Sequence, residues 1–142
     1  MLHLSPSARG VTLYHAVASD FAGDAVAVWS QYNSSRQTAA FGRRISRTGT
    51  LGPTTYLGMG DFPAVTVDDH GSGLSVWQAP GPDTVPNKLY GRKISRSGGF
   101  GPKILVSSDG RFARAASTPQ GQLSVIWQQG SASWPIQARF GP

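Results

Sequence analysis

Apolar and polar residues alternate along this chain in short runs, and the runs recur as a set. In the middle of the sequence Ala64-Val65-Thr66-Val67-Asp68 alternates, Asp69-His70-Gly71-Ser72-Gly73 carries turn residues, and Leu74-Ser75-Val76-Trp77-Gln78 alternates again. Successive side chains of a strand point to opposite faces, so this pattern predicts a hairpin. A loop through Pro80-Gly81-Pro82-Asp83 follows, then Lys88 to Ser95 as a third strand, a turn from Arg96 to Pro102, and Lys103-Ile104-Leu105-Val106-Ser107 as a fourth. No window carries apolar residues at helical spacing.

The same text occurs three times. Val28-Trp29 returns as Val76-Trp77 and as Ile126-Trp127, with the tryptophans 48 and 50 residues apart. Phe41-Gly42-Arg43-Arg44-Ile45-Ser46-Arg47 returns as Tyr90-Gly91-Arg92-Lys93-Ile94-Ser95-Arg96, each followed by Gly-Pro at Gly52-Pro53 and Gly101-Pro102. Gly23, Gly71 and Gly121 each stand six residues before a tryptophan, so the tight first turn is kept in register. Four antiparallel strands in a period near 50 residues is the sequence form of a β-propeller blade. The expectation is an all-β chain, residues 1–142 as one repeat domain, with three four-stranded blades at about 11–58, 59–107 and 108–142.

The ends extend this reading. The third copy stops at Arg139-Phe140-Gly141-Pro142, where the earlier copies continue into a fourth strand, and Met1-Leu2-His3-Leu4-Ser5 reads like that missing strand. Propellers have four to eight blades, so three predict closure by a second copy. Residues 1–5 would complete the last blade of a neighbouring chain, giving a six-bladed homodimer with no open edge.

Composition narrows the chemistry. There is no cysteine, so no disulfide framework and no thiolate metal site. No signal peptide or membrane-length apolar run is visible; localisation stays open. Net charge is +6, all seven acids are aspartates, and no glutamate is present. Sugar-cleaving enzymes generally work with paired carboxylates, Glu among them, and the aspartates here lie mostly in glycine-containing turns, which points away from an enzyme. His3, His15 and His70 lack metal-ligand spacing, Asp68-Asp69-His70-Gly71 reads as a turn rather than a calcium loop, and no cofactor is implied. Arg43, Arg44 and Arg47, with Arg92, Lys93 and Arg96, place basic charge on the third strands and their turns, either as solvated turn charges or as a surface for polyanions. No nucleic-acid-binding motif accompanies them, so nucleic acid is not the expected partner.

The binding candidates are the recurring pairs Trp29 and Arg43, Trp77 and Arg92, and Trp127 and Arg139, expected side by side at one rim of each blade. An indole face stacks on a sugar ring, and a guanidinium offers a fork of donors to hydroxyls. Equally, the tryptophans suit packing between blades and the arginines suit backbone carbonyls. Trp134, in the polar connection Gly130 to Pro135, and Tyr32, in the equivalent loop of the first copy, are non-repeated loop aromatics suited to a ligand or an interface.

The recurring Val-Asp-x-x-Gly, Val-Trp and Arg-x-Ile-Ser-x-x-Gly-x-x-Gly-Pro elements are similar to tandem repeats of bacterial β-propeller proteins, over essentially the whole chain. A short chain that must assemble into a ring also resembles, in architecture, the small bacterial and fungal fucose-binding propeller lectins. That resemblance implies multivalent carbohydrate binding between blades by Trp, Arg and Glu; with no Glu, Asp24 would have to stand in, and fucose specificity is not implied. Ser107-Ser108-Asp109-Gly110 partly resembles the Asp-box of sialidase propellers, without its spacing or its following aromatic. The expected function is thus a non-enzymatic, lectin-like propeller. The alternatives are a self-assembling scaffold and polyanion binding through the basic turns.

Overall fold

The structure, a computed structural model, describes residue 4 and residues 11–33, 35–80, 87–130 and 136–141. It is all-β, with no helix among the described residues. The first sheet takes its strands in chain order: β1 (Thr12–Ser19), β2 (Ala25–Tyr32), β3 (Thr38–Ile45) and β4 (Thr55–Met59). The second repeats this with β5 (Asp61–Val67), β6 (Gly73–Ala79), β7 (Lys88–Ile94) and β8 (Phe100–Ser107). The third holds β9 (Arg111–Ser117), β10 (Leu123–Gln128) and β11 (Ile136–Gly141). Every pairing is antiparallel between consecutive strands. The first two sheets have the expected four strands and the third has three among the described residues. The reading of residues 1–5 as a strand lies outside the described residues except at Leu4.

Asp68 shows how the sequence makes the first turn of each blade. Its Oδ1 accepts from the His70 and Ser72 amides at 2.8 and 2.9 Å, closing the β5–β6 hairpin over Gly71 at φ 79°. Asp20 and Thr118 do the same through the Asp24 and Gln122 amides, over Gly23 and Gly121. An Asp or Thr side chain offers the acceptor and glycine the left-handed geometry.

The cores lie between sheets, not within one. Val26, Val28, Ala40 and Leu57 of the first sheet meet Val65, Val67, Trp77 and Ile94 of the second. Leu74, Val76 and Leu89 of the second meet Ala113, Val125 and Trp127 of the third. The first strands β1, β5 and β9 are neighbours in that order. Sheets stacked face to face about their first strands are successive blades of a propeller.

Two strand boundaries differ from the pattern reading. β5 begins at Asp61 and not Ala64, because a bulge between Asp61 and Ala64 lets Phe62 and Pro63 enter the strand without ordinary ladder pairing. β8 begins at Phe100 and not Lys103, because Ile94 pairs with Phe100 directly across a tighter turn.

Candidate functional site

The three tryptophans are built into the blades. Trp77 is fully buried, donates from Nε1 to the Met59 carbonyl at 3.2 Å, and presses on Gly58 and Gly60 of the preceding blade's last strand and connector. Trp29 is also buried, its Nε1 donating to Gln31 Oε1 at 3.0 Å and its ring stacking on Phe41. Trp127 is buried too, and its Nε1 finds no acceptor among the described residues.

The arginines do not sit beside them at a rim. The cross-strand partners of the tryptophans are Phe41, Tyr90 and Gln137, whereas Arg43, Arg92 and Arg139 face Ala27, Ser75 and Val125, two residues further from that edge. Trp29 and Arg43, like Trp77 and Arg92, therefore share a face only diagonally. The expectation of a side-by-side rim pair failed because Arg43 and Arg92 stand well inside β3 and β7, whereas the residues opposite Trp29 and Trp77 near that edge are Phe41 and Tyr90. Arg92 donates from Nε to the Leu57 carbonyl at 3.1 Å, across the blade junction, and from Nη1 to Gly101 at 2.8 Å. Arg43 repeats this with Gly52 at 2.6 Å and the Leu4 carbonyl at 3.0 Å. A rigid fork suits two fixed carbonyls, and these donors are engaged in tying blades together.

The basic turns are likewise tethered. Arg44 pairs with Asp24 and donates to the Arg96 carbonyl, while the Arg47 amide bonds Asp24 Oδ1 at 2.7 Å. The hydrogen bond from Arg44, then that from the Arg47 amide, hold the Asp24 carboxyl below the ordinary aspartate value. Asp24 is thus engaged on the turn side of the blades, apart from the tryptophans. Asp109 Oδ1 accepts from the Gly130 amide at 3.0 Å, and Ser107 bonds the Asp109 backbone, so the Ser107–Gly110 segment serves a turn. Among the described residues no group of His and Asp has metal-binding geometry, and no helix is long and apolar enough to cross a membrane.

The exposed chemistry is elsewhere. Tyr14, Phe62 and Phe112 lie on β1, β5 and β9, with ring centroids 4.2 Å apart for the first pair and 4.9 Å for the second. Tyr14 and Phe112 are 45% and 44% exposed. Each sits where the pairing of its strand slips, and Phe62 and Phe112 adopt φ 50°. Bulky residues with positive φ are rare and strained, and the same strain in two blades marks a repeated device. Neighbouring side chains hold each bulge. Ser30 Oγ accepts from the Tyr14 amide at 3.3 Å and donates to Asp61, whose Oδ1 takes the Phe62 amide at 2.8 Å; Gln78 Oε1 takes the Phe112 amide at 3.3 Å. Tyr32, 39% exposed at the end of β2, reaches the same rim, since its amide meets the Val11 carbonyl. Trp134 lies outside the described residues, and Arg139 is placed only as a strand position.

Pattern reading passed over the arc although its signal is present: an aromatic stands 15 residues before each tryptophan, at Tyr14, Phe62 and Phe112. Two differ in residue type from Tyr14, and the flanking polar and proline residues hide them from an alternation search.

These features define a β-propeller-like class: three antiparallel sheets stacked as blades with a strained aromatic arc at the rim of their first strands. No family model and no curated protein matches the chain. Among solved structures it is similar to Hadza microbial sialidase Hz136, with a TM-score of 0.60, 16% identity, and coverage of 89% of this chain and 34% of that one. The chain therefore spans about a third of that protein's length, and the likeness is one of fold.

Proposed function

We propose that this chain is a non-catalytic, carbohydrate-binding β-propeller whose sugar contacts come from Tyr14, Phe62 and Phe112, with Tyr32 beside them. One observation carries the reading: the same strand position in three blades presents an aromatic ring at one rim, two of the rings nearly half exposed. Flat apolar rings flanked by a few fixed polar groups are what a ligand with an apolar face and hydroxyl edges requires. Ser30, Asp61 and Gln78 are the polar side chains that accept from the amides of the three arc residues. The likeness to a sialidase supports a sugar-related propeller. The absence of glutamate, and the use of Asp24, Asp68 and Asp109 in turns, favour binding over cleavage.

The same reading takes the three blades as half of a six-bladed ring of two copies. It is supported by Leu4, whose carbonyl meets Arg43 as the carbonyl of Leu57, on the preceding blade's last strand, meets Arg92.

The test is a glycan array probed at physiological and at raised salt, with sulfated polymers included. Binding to a related set of neutral glycans that survives raised salt is the expected result. Retention only of sulfated polymers, lost steeply with salt, would transfer the function to the basic turns, and a blank array would leave assembly as the chain's activity.

A further inference from the structure

Repeat-equivalent residues are buried in some blades and bare in others, and the pattern has a direction. Val28, Val76 and Ile126 occupy one position, each just before its tryptophan, yet they are 0%, 0% and 45% exposed. Val28 and Val76 are covered by the following blade, and Ile126 has none beyond it among the described residues. On the opposite side of the stack, Val65 is 8% exposed beneath the first blade, and its counterpart Val17 on β1 is 67% exposed. The register fixes the equivalence, because Val65 pairs with Ser75 as Val17 pairs with Ala27.

We infer that these two bare patches are the halves of one junction, the patch around Ile126 docking on the β1 patch around Val17 of a second copy, beside Ala27 and Trp29 of β2, which are already covered. The two junctions inside the chain supply the template. In one, Val28 and Val65 share a core; in the other, Val76 and Ala115 do. The third has the same chemistry, with Ile126 against Val17. Leu4 on Arg43 shows that the preceding-blade side of the first sheet already receives a carbonyl where a last strand belongs. Arg114 stands beside Ile126 where the other blades have Ala16 and Ala64, and its guanidinium turns back to the Ala113 carbonyl, so its stem adds to the face while the charge stays at the edge.

Two copies make two such junctions and leave no face bare. Docking brings Tyr14 of the partner subunit beside Phe112, as Phe62 already is, so the aromatic arc continues across the junction. The inference rests on the ring reading above and names its contacts.

Because both residues are exposed in the single chain, polar replacements there leave the blades intact. Light scattering should give twice the 15.0 kDa of one chain for the unaltered protein, and one chain for Val17→Asp and for Ile126→Lys alone. Mixed in equal amounts, the two variants should return to the doubled mass, since one junction is restored and the other pairs Asp with Lys. Unchanged strand content by circular dichroism checks folding. A monomeric unaltered chain, a dimeric Val17→Asp variant, or a mixture that stays monomeric would overturn the pairing. Glycan binding is read separately: a doubled mass with a blank array defeats the sugar reading alone, and glycan binding by a monomer defeats the junction alone.

Discussion

Trp77 shows how one residue acts on two blades at once. Its ring fills the junction, and a Cβ added to Gly60 would lie 2.3 Å from the Gln78 carbonyl oxygen and 2.8 Å from the indole. Large-to-small change at such a site costs about 3–5 kcal/mol, so Trp77→Ala should lower the denaturant midpoint accordingly. Gly60→Ala, at φ 142°, should cost about 1–3 kcal/mol in the same measurement, by overpacking rather than by a cavity. Arg92→Met removes two hydrogen bonds to main-chain carbonyls and should destabilise by about 1–3 kcal/mol while leaving glycan retention intact. Loss of retention without loss of stability would instead make Arg92 a ligand contact. Phe62→Gly is the converse case. It deletes a ring of the arc and relieves a left-handed backbone strain of about 1–2 kcal/mol, so binding should fall with little change in stability.

At the level of elements, the hairpins were the most legible part of the chain. The Asp68 turn, the three glycines before the tryptophans and the strands they join follow from local alternation and turn chemistry, which act over a few residues. The start of β5 was not legible, because Phe62-Pro63 breaks alternation and the bulge there is imposed by the neighbouring blade through Ser30 and Asp61. Trp and Arg recur in every copy, but recurrence does not give their register, and the ladder sets Phe41 and Tyr90 opposite Trp29 and Trp77 with Arg43 and Arg92 two residues along. The tie between Asp24 and Arg44, which links the β1–β2 turn to β3 and the next blade's turn, carries a pH signature. Asp24 titrates below its ordinary value of 3.8, so its contribution is complete at neutral pH and is lost as acid protonates it below about pH 4. Asp24→Asn should flatten that acid limb of an unfolding titration; an identical limb in both proteins would remove the tie from the account.

For the whole molecule, the feature that organises everything is the direction of the stack. Cores form between sheets, so each blade needs a neighbour on both sides, and only the middle one has two within the described chain. Recurrence in the sequence exposed the blades, but the bare faces at Val17 and Ile126 emerge only when equivalent residues are compared in three dimensions. The aromatic arc is the product of the same stacking, which brings the rings of residues 48 and 50 positions apart to centroid distances of 4.2 and 4.9 Å. The central claim is that this arc, and not the Trp and Arg of the blade junctions, holds a sugar. It is tested most directly by comparing the unaltered chain with the Tyr14→Ala, Phe62→Gly, Phe112→Ala triple variant on the same glycan array, with circular dichroism confirming the fold. Loss of neutral-glycan signal in a folded variant is the result predicted. Undiminished signal from the folded variant would contradict the account and return the site to the blade junctions or the loops.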